Sequence, residues 1–213
     1  MKNILLKDKI ALKFDNEVLF EQFSVNDIEK ISVLAPNILF EIGSHAWMIY
    51  AESSKKVDPY KLSKYFDAQD PYIYRRVEKV IKRKVIQDIC FSYARVMDET
   101  LGRNICCQLH LCRMWPNDLF IADVEFSDPY KPVSKGSQKY QFHEYRSLGL
   151  FDAHLDKINS FCRNNSIGRI TLTAATNDQI PYFEQYGFKI ENNNMSKNSL
   201  AQGMGAAMYK KCI

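Results

Sequence analysis

The order of elements predicts an α/β fold, a mixed and mostly antiparallel central sheet of about six or seven strands with helices on both faces. Three observations carry this. Hydrophobic periodicity changes from helical to alternating near Asn104. Two alternating runs, 104–114 and 118–126, are separated only by Trp115-Pro116-Asn117, which reads as a tight turn. From Phe151 onward helix and strand signatures alternate to the end of the chain. Sheets of this kind bind ligands where neighbouring strands diverge at their ends.

The elements follow in order. Residues 24–34 (SVNDIEKISVL) have helical spacing behind Ser24, a natural N-cap. Residues 38–50 read as extended, broken at Ile42-Gly43-Ser44 as in a hairpin or bent strand, and 57–66 as a short helix. Asp70-Pro71 supplies a cap and a first-turn proline. Ile73, Val77, Val80, Ile81, Ile89, Tyr93, Val96 and Met97 then form one apolar stripe up to Gly102, so a single long helix is expected over 71–101. Residues 128–137 (DPYKPVSKGS) read as loop and 138–143 as a short strand. A helix at 151–164, a strand at 169–173, a helix at 178–185 and strands at 188–191 and 206–212 complete the order. The polar segment 192–205 (NNNMSKNSLAQGMG) is long for a strand connection and reads equally as a functional loop or a plain excursion.

Composition narrows the class. The 213 residues suit one domain spanning 1–213, with a divergent part at 1–69 and a core at 70–213. A 46% hydrophobic and 25% charged content argues against disorder. The net charge of +4 does not by itself indicate nucleic acid. No apolar run approaches the ~20 residues of a membrane span. The opening MKNILLKDK is broken by Lys7, Asp8 and Lys9, so no signal peptide is expected. The six cysteines lie mostly in apolar periodic segments, as reduced thiols of a cytoplasmic protein do.

The functional signal sits in 145–188: a glycine turn, a helix, a strand, an asparagine-led helix and a closing Gly187-Phe188. A glycine turn opening a helix offers unpaired N–H groups and the positive helix end to an anion. Taken alone, Arg146-Ser147-Leu148-Gly149-Leu150 reads equally well as an ordinary turn. Its neighbours add to it. Arg146, Gly149 and Phe151 fall at the positions of an Arg/Gln-x-x-Gly-x-Gly/Ala turn, Asn177 precedes Phe183 by six residues, and AAMYKK closes the chain at 206–211.

In these residues the chain resembles the GCN5-related N-acetyltransferase (GNAT) family over 138–212. The resemblance implies an acyl-CoA N-acyltransferase fold. It further implies transfer of an acetyl or other acyl group from acyl-CoA, the co-substrate, to a small-molecule or peptide amine by direct attack in a ternary complex, with no metal. On that pattern the main chain of Arg146, Ser147, Leu148, Gly149, Leu150 and Phe151 would hold the pyrophosphate, with Asn177 and Phe183 beside the pantetheine arm. A main-chain N–H on the strand before the turn would form the oxyanion hole. The acceptor would enter between the N-terminal half and 192–205.

Two residues depart from the pattern. Phe151 stands where Gly or Ala lets phosphates approach, and Phe183 where many members carry a tyrosine that protonates the leaving thiolate. General acid help is worth roughly 10²–10⁴-fold. Tyr182 and Tyr186 flank that position and are the acid candidates. Glu125, His143 and Glu144 are candidates to take the proton of the amine. A catalytically silent relative that binds CoA or a protein partner is the alternative that Phe151 and Phe183 favour.

Two weaker readings remain. Arg75, Arg76, Lys79, Lys82, Arg83 and Lys84 form a basic run that fits an RNA-directed (tRNA) acetyltransferase, or equally the solvated face of a helix. Cys106, Gln108, His110 and Cys112 alternate on one strand, where side chains two apart lie ~7 Å from each other and do not share one ion without a bend. Packing is the better account of them. Neither the acceptor nor the oligomeric state has a signature in the sequence.

Overall fold

The computed structural model describes residues 1, 4–53, 66–140 and 143–212. One eight-stranded sheet organises them, in the order β1-β2-β3-β4-β6-β8-β7, with β5 added to the far end of β4. The strands are β1 (Val18–Ser24), β2 (Ile86–Val96), β3 (Ile105–Met114), β4 (Asp118–Pro132), β5 (Tyr145–Ser147), β6 (Arg169–Ala174), β7 (Lys189–Ile190) and β8 (Ala206–Lys211). Every pairing is antiparallel except β4 with β6. The fold is the mixed α/β class expected.

One face of the sheet carries α2 (Ile28–Leu34), α3 (Pro36–Ser53) and α4 (Ile73–Ile81) over a cluster that includes Leu39, Ile42, Tyr74, Ile89, Phe91 and Phe120. The other face carries α1 (Lys7–Ala11) and α5 (Phe151–Asn164) over a second cluster that includes Ile10, Leu109, Leu119, Ile158 and Ile170. Two short helices, α6 (Ile180–Glu184) and α7 (Asn194–Ala201), complete the described α-helices.

The N-terminal half departs most from expectation. Residues 38–50 are helical, inside α3, and not a broken hairpin. Gly43 is there for close packing: a Cβ on it would lie 2.4 Å from Ile73 Cγ2 and 2.7 Å from the Tyr74 main-chain nitrogen. The expected helix over 71–101 is a helix, a turn and a strand. Helix α4 stops at Lys82, which takes a left-handed conformation (φ 55°), and β2 begins four residues later. Ile89, Cys90 and Phe91 are consecutive and at most 2% exposed. A helix with one apolar stripe does not bury three residues in a row, whereas a strand covered on both faces does. The helix expected at 57–66 lies almost wholly outside the described residues.

Ser24 does cap the helical segment 25–34, its hydroxyl accepting from Asn26 N–H while Asp27 accepts from Ser24 N–H. Strand β4 runs on through Pro132, where a loop was expected, because β5 pairs with its end. The expected strand at 138–143 is displaced to β5; Gln141 and Phe142 lie outside the described residues. The supposed polar loop 192–205 contains α7, capped by Asn193 Oδ1 on Ser196 N–H at 2.7 Å.

Candidate functional site

A cleft of about 450 Å³ opens where β4 and β6 part. Their parallel pairing ends at Ile121 with Leu172. On its other edge β4 remains paired to β3, but with an irregularity: Leu111 faces Ile121 and His110 faces Asp123, leaving Ala122 as an extra residue. Bulges of this kind bend a strand and re-aim its side chains. Ala122, Asp123, Val124 and Glu125 all line the cleft. Leu148 N–H donates to the Phe126 carbonyl at 3.0 Å, so Phe126 turns its main chain toward the β5 edge. By strand alternation Val124 does the same, along the stretch of edge between β6 and β5.

The mouth of the cleft is the glycine turn. Gly149 has φ +67°, which favours glycine, and its N–H is held by Ser147 Oγ at 3.1 Å. Arg146 and Ser147 are exposed, Leu148 and Leu150 buried. Leu150 precedes α5, and no side chain caps the helix. The first N–H groups of a fourteen-residue helix therefore lack a side-chain partner, which suits an anion, although Asp152 in the first turn works against it. Phe151 is only 5% exposed and its ring turns into an aromatic cluster with Tyr182, Phe183 and Tyr186, 4.8 Å from the last. The bulk that seemed to obstruct the turn is thus directed away from it.

The cleft is acidic. Glu41 on α3, Asp123 and Glu125 on β4, and Glu144 before β5 all line it. Burial pushes the Glu41 carboxyl up to about 7, and the neighbouring Asp123 charge adds to this. Burial also raises Asp123, against a hydrogen bond from Gln108. Among the described residues Glu41 makes no hydrogen bond or ion pair. Glu125 is bound to Arg103 at 2.6 Å, and Glu144 approaches the same guanidinium at 3.5 Å. His110 Nδ1 lies 3.6 Å from Asp123, but burial holds the imidazole neutral, down to about 4, so the contact is not an ion pair. Its Nε2 shares a 2.8 Å hydrogen bond with Tyr93.

The sequence candidates divide. Glu125, His143, Glu144, Ser147, Phe151, Tyr182 and Phe183 line the cleft. His143 stacks on Tyr140, and its Nδ1 accepts from Lys139 N–H. Tyr186 packs beside Tyr182, and burial with that contact raises the Tyr182 hydroxyl. Asn177 stands apart. Its Nδ2 donates to the Leu200 carbonyl and its Oδ1 accepts from Gly205 N–H, both at 3.0 Å, so its amide ties α7 and the start of β8 to the end of β6. Glu41, Asp123 and Tyr140 were missed. Glu41 was hidden by reading α3 as extended, and Asp123 has a role only through the bulge.

The remaining motifs are absorbed by structure. Cys106 packs in the cluster under α1 and α5, Cys112 in the one under α2 to α4, and Gln108 and His110 are bonded as above. Among the described residues no three metal-ligating side chains converge. Of the basic run, Arg75 pairs with Glu29 at 2.6 Å and stacks over Tyr72. No helix among the described residues is long and apolar enough to cross a membrane.

No protein-family model matches the chain, and no curated protein gives a significant sequence match. Solved structures do match. A GNAT-family acetyltransferase from Staphylococcus aureus shares 16% identity over 92% of this chain and 100% of its own, with a TM-score of 0.38. The PaiA N-acetyltransferase of Thermoplasma acidophilum, solved with coenzyme A, shares 12% over 92% and 99%, at 0.35. Ard1 of Thermoplasma volcanium shares 13% over 92% and 98%, at 0.38. Likeness at this level leaves function to be argued from the cleft.

Proposed function

We propose that the chain is a cytoplasmic GNAT-type N-acyltransferase, a single domain over 1–213 whose divergent N-terminal part supplies β1 and the acceptor-side helices. The observation that carries this reading is the cleft between diverging parallel strands, with an uncapped glycine-turn helix at its mouth and a bulged strand edge inside. Its volume of about 450 Å³ lies in the range of small-molecule sites.

Acyl-CoA lies with its pyrophosphate on the turn 146–151 and its pantetheine arm along the β4 edge at Val124. The neutral amine attacks the thioester carbonyl, the N–C bond forms, the C–S bond breaks, the nitrogen gives up one proton and the thiolate takes one. The proton of the incoming ammonium passes to the Glu41–Asp123 pair, whose raised Glu41 pKa suits a base near neutrality. Tyr182, in the cleft wall next to Phe183, is the hydroxyl we assign to protonate the thiolate. Calorimetry of acetyl-CoA and longer acyl-CoAs with the full chain tests the reading, and absence of binding overturns it.

A second reading has one observation in its favour. Phe183 removes the usual acid position, as in a protein that binds CoA without turnover. Binding without thioester cleavage across a broad amine panel supports that reading. The RNA-directed alternative requires salt-sensitive RNA binding through Arg75–Lys84.

A further inference from the structure

Cys162, in the last turn of α5, and Cys212, just past β8, meet at one corner of the fold. The main chain brings them there. Ile167 N–H donates to the Cys162 carbonyl at 2.9 Å, and Cys212 N–H donates to the Gly168 carbonyl at 3.0 Å. Both cysteines are thus tied to adjacent residues of the connection that leads from α5 into β6. Their side chains join the same apolar cluster, under α1 and α5. There the Cys162 thiol donates a hydrogen bond to the Cys212 sulfur. A disulfide requires the sulfurs to close from that contact to about 2.05 Å, a matter of side-chain rotation once the main chains are adjacent.

The pair differs from the other four cysteines. Cys90, Cys106, Cys107, Cys112 and Cys162 are buried, and Cys212 alone is partly exposed. The hydrogen bond also divides the chemistry between the two. As acceptor, Cys212 is held below the usual thiol range, helped by the Lys210 charge and opposed by burial and Asp118. As donor, Cys162 keeps its proton, and burial pushes it the same way. Burial alone is enough to raise Cys90, Cys106, Cys107 and Cys112. The thiolate is the form that reacts with oxidants, so access and thiolate character coincide at Cys212, with a second thiol beside it to close the bond.

We infer that Cys162 and Cys212 form an oxidisable dithiol site whose co-reactant is a peroxide. With hydrogen peroxide, the Cys212 thiolate attacks, the O–O bond breaks and Cys212 becomes a sulfenic acid. The departing hydroxide takes up the proton that the thiol had lost. The Cys162 sulfur then attacks the Cys212 sulfur, the S–S bond forms, the S–O bond breaks and water leaves with the Cys162 proton. Two electrons pass from the sulfurs to the peroxide, which ends as two molecules of water. The new bond fastens the last turn of α5 to the end of β8, the strand paired with β6, whose Leu172 and Thr173 line the cleft. In a reducing compartment such a bond is transient, and a dithiol reductant reopens it.

The full chain, freed of reductant, should be treated with near-stoichiometric hydrogen peroxide and mapped by mass spectrometry of unreduced peptides. A Cys162–Cys212 cross-link is expected, with the other cysteines still alkylated as thiols. The melting temperature should rise by roughly 5–10 °C and return when dithiothreitol is added. Cys212→Ser should abolish both the cross-link and the shift. Cys162→Ala should stop the reaction at the Cys212 sulfenic acid, captured by dimedone. Absence of the cross-link in the parent, a cross-link through other cysteines, or an unchanged melting temperature overturns the inference; mapping of the parent decides even where a variant does not fold. Acyl-CoA has no part in these readouts, so this site and the transferase reading stand or fall separately.

Discussion

Glu41 on α3 and Asp123 on β4 both line the cleft, and the Asp123 charge raises the cost of charging Glu41. Neither position alone explains this. Helix α3 is drawn onto the sheet by the Gly43 contact with α4, and Asp123 faces the cleft because Ala122 is the extra residue of a bulge. Burial raises both carboxyls, and Glu41 keeps its proton up to about 7.

The first prediction concerns this proton. If the pair is the base, kcat/KM rises as pH increases through about 7, where Glu41 loses its proton. Glu41→Gln should lower kcat/KM by roughly 10²–10⁴-fold and remove that limb of the profile. Stability moves the other way. The folded-state pKa lies above the unfolded value, so the native state holds the extra proton and stability falls as pH rises from about 4.5 to about 7. Above that window Glu41→Gln should therefore be more stable than the parent, by about 1–3 kcal/mol, in urea melts at matched pH.

The C-terminal half was legible because its signals are local. Gly149 before α5, alternation in β6 and the Gly187-Phe188 close all act within a few residues. The N-terminal half was not, since its decisive contacts are tertiary. Gly43 reads as a strand break, yet it serves a helix crossing whose partner lies thirty residues on. The β2 residues Ile89, Tyr93 and Val96 imitate a helical stripe, and only burial on both faces distinguishes them. Within the site, the turn was legible and the acid pair was not, because a bulge leaves no residue signature.

Gly43→Ala tests that crossing. The added methyl would meet the Tyr74 main chain, which cannot rotate away, so α3 must shift from α4. A loss of about 1–3 kcal/mol is expected in chemical denaturation. A neutral result would mean that the helices pack less closely than described.

At Gly149 the two roles of glycine separate. A Cβ there meets nothing within 4 Å of protein, but φ is +67°. Gly149→Ala should cost about 1–2 kcal/mol from the left-handed conformation alone. Gly149→Asn tolerates that conformation better and should keep most of the stability. If the turn holds pyrophosphate, both variants weaken acetyl-CoA binding by calorimetry, while binding of free amines stays as it was.

Phe183 and Tyr182 share the cleft wall, with ring centroids 5.3 Å apart. Introducing a hydroxyl by Phe183→Tyr should raise kcat about tenfold or more if thiolate protonation limits the rate. Tyr182→Phe should lower it by a similar factor when Tyr182 is the acid in use. The double variant then restores activity above that of Tyr182→Phe. Indifference of kcat to all three would place the proton source elsewhere.

Asn177 offers the sharpest contrast between family expectation and geometry. A residue beside the pantetheine arm should affect acyl-CoA affinity when changed. Here both amide atoms are occupied by Leu200 and Gly205. Asn177→Asp keeps an acceptor for Gly205 N–H but sets a carboxylate oxygen against the Leu200 carbonyl, at a cost of about 1–3 kcal/mol. Gly205 itself has little room to adjust, because a Cβ on it would lie 1.9 Å from the Ala174 carbonyl oxygen. The displaced element is therefore α7, whose Ser196 and Met195 line a small pocket between α3, α7 and the β6–β8 pair. Asn177→Asp should raise the acceptor KM several-fold and lower the melting temperature, with acetyl-CoA Kd unchanged. A weakened acetyl-CoA Kd with the acceptor KM intact would return Asn177 to the cofactor arm.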